Sequence, residues 1–412
     1  MQSVLILGRQ PALGLSELES LYGAAAVRPV GAAAAAPQAA LLDVPAGDVD
    51  FERLGGSLKL ARVLTVLDTT DWRQVSDALV DSAPEHTDAL PEGKLTIGLS
   101  VYGLRVSPAA IQAAGLNIKK AIRKSKNNPG RSVRLVPNKE LELNTAQVLH
   151  NNLTAENGWE LLLIRDGNKT IMARTTAVQD IESYTRRDRE RPKRDARVGM
   201  LPPKLAQIII NLATRSVHGE DKARVQVFDE APTILDPFCG TGVVLLEAKL
   251  AGFNVYGTDI EPRMIEYTQA NLDWLPGHYA VSDAGTKLEI GDATTHTWQP
   301  RPEFLACETY LGRPFTSLPS PEVLNQTISE VNLILKKFLK NIHGQLPPDA
   351  RLCIAVPAWQ TKPGRFKHLP LIDQIQNMGY NRISFEHTSD EDLLYYREGQ
   401  VVARQLLVLE KK

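Results

Sequence analysis

Three aspartates stand at intervals that suit one task. Asp236 closes the short apolar run Thr233-Ile-Leu, Asp259 closes Asn254-Val-Tyr-Gly-Thr, and Asp292 closes Lys287-Leu-Glu-Ile-Gly. Each run reads as a buried strand, so the acids fall at three consecutive strand ends. Behind the first comes Pro237-Phe-Cys-Gly-Thr-Gly242, whose glycines force a tight turn, and Val243 to Leu250 then carries apolar residues at helical spacing. A strand, a glycine turn and a helix N-terminus is where an open α/β sheet receives a nucleotide-like ligand. An acid at the first strand end suits an ammonium. Asp259, 17 residues after Gly242, is placed for the two hydroxyls of a ribose, and Asp292 for the exocyclic amine of adenine. A ligand with an amino acid end, a ribose, an adenine and no phosphate is S-adenosylmethionine. The bland alternative is an ordinary strand-to-helix turn with a capping aspartate. A dinucleotide fits less well, because Leu245 stands where the third glycine of its fingerprint belongs. The candidate cofactor contacts are Met200, Leu201, Asp236, Pro237, Phe238, Cys239, Gly240, Thr241, Gly242, Asp259, Ile260, Asp292 and Ala293.

The elements that must position these residues alternate from Thr233 onward, as a parallel sheet requires. Pro262 to Leu275 is a helix with proline in its first turn. Glu303 to Pro314 holds the fourth strand and the turn after it. Pro321 to His343 is a long amphipathic helix with Leu324, Ile328, Val331, Leu335, Phe338 and Ile342 on one stripe. Arg351 to Pro357 is the fifth strand and Phe366 to Met378 the next helix. Residues 381–387 and 401–410 pair as an antiparallel hairpin, turning near Tyr395 to Gln400. Upstream, Gly199-Met-Leu-Pro-Pro203 leads extended into a helix, Lys204 to Ala213, that can close one side of the cofactor pocket. The arginine-rich run from Tyr184 to Arg197 reads as a linker or arm.

A chain of 412 residues, 43% hydrophobic and 23% charged, has room for two or three domains with proper cores. Residues 1–90 suit a small α/β unit: a strand from Ser3 to Gly8, then a helix from Leu13 to Tyr22 with Ser16 and Glu19 as a capping box. The alanine-rich stretch 24–40 is broken by Pro29 and Pro37, so its helix propensity is set aside. Residues 91–176 suit a second unit: a strand from Leu95, helices at Pro108 to Lys124 and Leu143 to Leu153, and a hairpin turning at Asp166-Gly-Asn. Net charge is -1 overall, but unevenly spread. Residues 1–90 hold 6 Lys/Arg against 12 Asp/Glu, whereas residues 91–200 hold 20 against 11. A basic middle is what a localised polyanion surface looks like, although charge runs are also ordinary solvated faces. Lys119, Lys120, Arg123, Lys124, Lys126, Arg131 and Arg134, with Arg187 and Arg191, are the candidate phosphate contacts. Three scattered cysteines and eight scattered histidines give no disulfide framework or metal-ligand spacing, which fits a reducing cytoplasm. No apolar run reaches the ~18 residues of a membrane span. The start, Met1-Gln-Ser-Val-Leu-Ile-Leu, goes into a strand without the pattern of a leader.

Three blocks resemble the THUMP-containing tRNA guanine-N2 methyltransferases that modify guanosine 10. They are Arg187-Asp…Arg191-Pro…Gly199-Met-Leu-Pro-Pro-Lys-Leu-Ala206, Leu235-Asp-Pro-Phe-Cys-Gly-Thr-Gly242, and Gly257-Thr-Asp-Ile260. The resemblance implies a class I, Rossmann-like methyltransferase sheet with an antiparallel C-terminal hairpin over 233–412. It also implies a ferredoxin-like domain over 1–90, a THUMP-like RNA-binding domain over 91–176, and a linker with the Met-Leu-Pro-Pro helix over 177–232. The implied partner is tRNA or another structured RNA, with room for a small activator subunit.

The departure from that family lies where the chemistry is done. Relatives carry Asp-Pro-Pro-Tyr after the fourth strand, whereas this chain has Cys307-Glu-Thr-Tyr-Leu-Gly312, without either proline. The resemblance assigns Glu308 and the Thr309 carbonyl to the substrate amine and Tyr310 to stacking. The expected reaction is methyl transfer to an exocyclic amine of a purine in RNA, most simply guanine N2 in tRNA. A DNA amino-methyltransferase, or a non-catalytic RNA-binding protein that keeps the cofactor pocket, are the alternatives.

Overall fold

The computed structural model describes residues 2–31, 37–87, 90–125, 131–195, 201–214, 231–281, 284–362 and 364–412. The chain divides into two compact units, and it passes between them more than once. One takes Met1–Pro11, Ala25–Glu52 and Ser57–Ile181; the other takes Ala12–Ala24, Arg53–Gly56 and Glu182–Lys412. Helix α1 (Pro11–Tyr22) therefore counts almost wholly with the second unit.

The first unit is built on one eight-stranded sheet. Its strands are β1 (Ser3–Leu7), β2 (Val27–Val30), β3 (Ala39–Leu42), β4 (Ser57–Leu67), β5 (Leu95–Tyr102), β6 (Val133–Leu135), β7 (Gly158–Asp166) and β8 (Lys169–Val178), in the order β2-β3-β1-β4-β8-β7-β5-β6. Residues 1–90 and 91–176 thus share a sheet through the β4–β8 ladder, where the sequence suggested a boundary near 90. Helices α2 (Trp72–Ser82), α3 (Pro108–Lys124) and α4 (Thr145–His150) complete it. Local chemistry starts each one: Asp71 caps α2, Ser107 caps α3 ahead of Pro108, and Asn144 with Gln147 forms a capping box on α4. The hairpin at Asp166–Lys169 is as expected. The charged heart of this sheet is fully engaged. Buried Glu160 accepts from Lys59, from Ser100 Oγ at 2.6 Å and from Thr175 Oγ1 at 2.7 Å.

The second unit holds nine strands: β9 (Thr233–Asp236), β10 (Asn254–Asp259), β11 (Thr286–Ile290), β12 (Phe304–Glu308), β13 (Arg351–Lys362), β14 (Arg365–Lys367), β15 (Tyr380–Arg382), β16 (Leu394–Tyr395) and β17 (Val402–Lys411). The main path runs β11-β10-β9-β12-β13-β17-β15, with β14 on β13 and β16 on β17. The first five are parallel and β17 is antiparallel to β13, so the strand order turns back between β9 and β12. That reversal opens a crevice at the strand C-termini. Helices α5 (Ile181–Arg189), α6 (Pro203–Ala213), α7 (Val243–Leu250), α8 (Pro262–Trp274) and α9 (Pro321–His343) pack on it. The α9 stripe read from the sequence is buried along its length, from Leu324 to Ile342. Leu245 is core as well: Gly257 has no Cβ, and one built there would meet Leu245 Cδ1 at 2.5 Å. The two must approach closely for helix to lie on strand.

Helix α1 is joined to this unit by buried polar contacts. Glu17 accepts from Gly55 N at 2.9 Å, Gly56 N at 2.8 Å and Asn211 Nδ2 at 2.8 Å. Burial outweighs these donors and raises its carboxyl to about 7. Glu19 accepts from the backbone of Glu386 and His387, at 2.8 and 2.7 Å. The capping-box reading of Ser16 and Glu19 is therefore corrected. The helix already begins at Pro11, Ser16 Oγ donates back to Ala12 O at 2.9 Å, and Glu19 serves a distant loop.

Two further expectations change. Phe366 to Met378 is not an α-helix: residues 365–367 pair with β13 as β14, and short 3₁₀ turns follow at Pro370–Gln374 and Gln376–Met378. Strand pairing claims the first residues and Pro370 can only begin a helical turn, so no long helix assembles. The arginine-rich run, read as a linker, is helical over Ile181–Arg189.

Candidate functional site

The crevice beyond the strand ends is a cavity of about 1100 Å³ within the second unit, lined by residues from 201 to 404. Asp236, Asp259 and Asp292 all line it, as do Glu308, Thr309 and Tyr310. The sequence placed these six on four strands and their following loops, and the fold brings them to one cavity.

The cofactor end is organised by main chain. Gly240 and Gly242 take positive φ of 52° and 81°, the left-handed region that glycine enters without strain. A side chain at Gly242 would also collide with Thr268, 2.8 Å from the built Cβ. Thr268 Oγ1 donates to Gly240 O at 2.9 Å, and Asn271 Nδ2 donates to Thr241 O at 2.8 Å, so α8 holds the loop from behind. Asp259 accepts from Gly240 N and from Glu261 N, both at 2.9 Å. Asp236 accepts from Phe238 N at 3.1 Å, and Asp292 from Thr294 N at 2.8 Å.

Each carboxylate has about four lone-pair positions, so one or two amide bonds leave capacity for a ligand. Asp236 is 2% exposed. Burial, together with the nearby charges of Asp259 and Glu308, pushes its carboxyl well above the ordinary aspartate range. Burial likewise raises Asp259. Acids this crowded gain from a cation, and S-adenosylmethionine brings an ammonium and a sulfonium. Ile260, 64% exposed on the cavity wall, offers an apolar face to a flat ring. The residues present therefore fit that cofactor.

Among the other expected contacts, Leu201, Pro237, Phe238, Cys239, Thr241 and Ala293 line the cavity, while Met200 lies outside the described residues. The Cys239 thiol is buried and raised far above its usual range, chiefly by desolvation, which makes it a packing group.

The acceptor end is organised by side chains. Thr309 N and Thr309 Oγ1 both donate to Ala355 O at 3.0 Å, which pins the loop to β13. Arg404 of β17 donates to Glu308. Tyr310 is 43% exposed, and Gly312 turns the chain at φ 84°. Sequence reasoning missed Arg404, which lies 96 residues from its partner with no local motif around it.

The candidate RNA contacts divide. Lys120, Arg123 and Lys124 are exposed at the end of α3 and Arg134 is exposed on β6, with Lys119 partly covered. Arg131 is tied to Pro91 O and Asn157 Oδ1, at 2.6 and 2.7 Å. Lys126 lies outside the described residues. Arg187 and Arg191 face inward, which corrects their assignment. Arg187 is 7% exposed and its Nε meets Glu247 Oε1 at 2.7 Å, while Arg191, 3% exposed, donates to Arg187 O at 3.0 Å. A phosphate cannot reach guanidinium groups enclosed in this way. Instead, these two arginines pack against the protein interior.

Numbered along the sheet, the strand order is 3-2-1-4-5-7-6 with the seventh strand antiparallel, and with the glycine loop after the first strand this is a class I, Rossmann-like methyltransferase fold. A solved structure described as a possible methylase from Clostridium difficile 630 shares it, with a TM-score of 0.50 and 10% identity over 98% of this chain and 97% of that one.

Residues 116–270 match the family described as DNA methylase. The chain is also similar to curated archaeal proteins named tRNA (guanine(10)-N2)-dimethyltransferase. That from Methanothermobacter thermautotrophicus is 30% identical over 207 residues, 49% of this chain and 52% of that protein. That from Pyrococcus abyssi is 32% identical over 163 residues, 38% and 39%. The chain spans about half the length of the first of these relatives and less of the second.

Proposed function

We propose that the second unit binds S-adenosylmethionine and methylates the N2 amine of a guanine in tRNA. The observation that carries this reading is the sharing of one cavity by three strand-end aspartates and the Glu308-Thr309-Tyr310 loop. Asp236 would hold the cofactor's ammonium, Asp259 its ribose and Asp292 its adenine. The bound cofactor supplies a methyl group already made electrophilic by a sulfonium, so the protein's task is positioning and charge stabilisation.

Glu308 accepts a hydrogen bond from the substrate amine and stabilises the positive charge that grows on nitrogen. The Thr309 carbonyl, fixed by the double anchor on Ala355, holds the second amine proton. Tyr310 presents an exposed ring for the base to stack on. A base paired within a helix must leave its stack to reach this cavity. The Lys120, Arg123, Lys124 and Arg134 surface of the first unit would hold phosphates.

The names of the archaeal relatives favour tRNA and position 10, and support from the DNA methylase match extends to the amine chemistry. Three free, buried cysteines suit a cytoplasmic setting, and no helix among the described residues is long and apolar enough to cross a membrane. Nucleoside mass spectrometry on tRNA incubated with the protein and labelled cofactor tests the reading. Labelled N2-methylguanosine is the expected product. Cofactor binding with no transfer would leave an RNA-binding protein with a retained pocket, and label in duplex DNA alone would move the substrate to DNA.

A further inference from the structure

Arg404 and Glu308 form a charged pair at the acceptor end of the cavity, with Arg404 Nε 2.5 Å from Glu308 Oε1. The side chains are 9% and 13% exposed, and both residues line the cavity. Among the described residues neither side chain has another hydrogen-bond partner. A guanidinium has five N–H donors, so four are unspent, and Glu308 keeps Oε2 as a second acceptor. None of these atoms is among the fully enclosed side-chain atoms that lack a partner, and both residues line the cavity. Strand pairing fixes Arg404 from both sides, opposite Pro357 of β13 and Tyr395 of β16.

The Watson–Crick edge of guanine presents an acceptor at O6 and donors at N1 and N2. Its complement is a donor followed by two acceptors, which is what a guanidinium beside a carboxylate supplies. Adenine and cytosine place an acceptor next to their amine, and that lone pair would face a carboxylate oxygen.

Resting on the guanine reading above, we propose that Arg404 is a specificity-determining residue: its free N–H groups take O6 of the target base while Glu308 takes N1–H and N2–H. The rival role is simple neutralisation of Glu308. Lysine separates the two, because it keeps the charge but lacks the planar fork that can bond a carboxylate and a second acceptor together.

The experiment compares tRNA transcripts carrying guanosine or 2-aminopurine at position 10. 2-Aminopurine keeps the 2-amine but lacks O6 and the N1 proton. The wild-type protein should prefer guanosine strongly in kcat/KM, since a site built to hydrogen-bond a group rejects the analogue without it. In Arg404→Lys the preference should shrink by about tenfold or more, the discrimination carried by one good side-chain-to-base pairing. Its cofactor affinity should stay near the wild-type value. An unchanged preference in that variant reduces Arg404 to a counter-ion and overturns the proposal. If R404K does not fold, R404Q, which keeps a donor for Glu308 without the charge, is judged by the same ratio. Wild-type protein that methylates 2-aminopurine as well as guanosine also overturns it while leaving the methyltransferase reading intact. No transfer to either RNA removes the guanine reading and this inference with it.

Discussion

At the cofactor end of the cavity the chain holds its acids with its own backbone, whereas at the acceptor end it holds its acid with a side chain from a distant strand. Asp236, Asp259 and Asp292 each accept from an amide within two residues, and Asp259 takes a second from the glycine loop. Among the described residues Glu308 accepts from no such amide, and its hydrogen bond comes from Arg404. Main-chain support survives most substitutions nearby, because every residue except proline offers an N–H. Side-chain support is lost with one change. The two ends should therefore fail separately, and they should be separable by mutation.

The sharpest break in that comparison comes from Asp236→Asn against Glu308→Gln. Removing the buried charge at 236 should weaken cofactor binding by roughly 10²-fold, about 2–3 kcal/mol for a charge-assisted contact. Glu308→Gln should leave that affinity within a few-fold and slow methyl transfer by roughly 10²–10³. Calorimetry and single-turnover assays read the two quantities, and loss of both in both variants would merge the two ends into one.

A pH series sharpens it further. Asp236 has a raised affinity for protons in the free protein, and the cofactor's cation requires the carboxylate. Cofactor affinity should thus fall on acidification at a pH where an ordinary aspartate is still charged, and Asp236→Asn should weaken that dependence, leaving the part due to Asp259.

A smaller effect sets Gly242→Ala against Thr309→Val. The first forces a positive φ of 81° on alanine and drives its methyl onto Thr268, so it should cost about 1–3 kcal/mol and weaken the cofactor. The second keeps the Thr309 N–H bond and loses only the hydroxyl, about 1 kcal/mol, with the change showing in kcat. Denaturant unfolding read alongside kinetics checks the pair.

The mildest change belongs to the first unit. Lys120→Ala, Arg123→Ala and Lys124→Ala together should lower tRNA affinity and flatten its salt dependence by about 0.7–0.9 in slope for each phosphate that is no longer neutralised. Cofactor affinity should not move. A filter-binding titration over salt concentration measures the slope.

The same contrast explains what could be read from sequence. The strand ends, the glycine loop, α7 and α9 were legible because their determinants are local: an apolar run, a glycine pair, a stripe at helical spacing. Three of the expected pocket residues, Asp236, Gly242 and Asp259, are positioned by contacts within 30 residues of themselves. Arg404 was not legible, because only the crossover that lays β17 beside β13 puts it near Glu308. Arg187 and Arg191 misled for a related reason. Charge in a sequence suggests solvent, and only the fold reveals a buried Glu247 waiting for one of them. The sequence likewise suggested a helix over Phe366 to Met378, although its first residues found a strand partner instead.

The placement of α1 bears on how this protein can be made and dissected. Glu17 draws its donors from Gly55, Gly56 and Asn211, so the second unit keeps two of its structural pieces among the first 56 residues. A fragment begun at residue 182 would emerge without the helix that those donors hold, leaving apolar α6 surface uncovered. During synthesis the ribosome must likewise deliver the opening helix long before the sheet that receives it exists. That early segment keeps its polar groups in water until most of the polypeptide has followed.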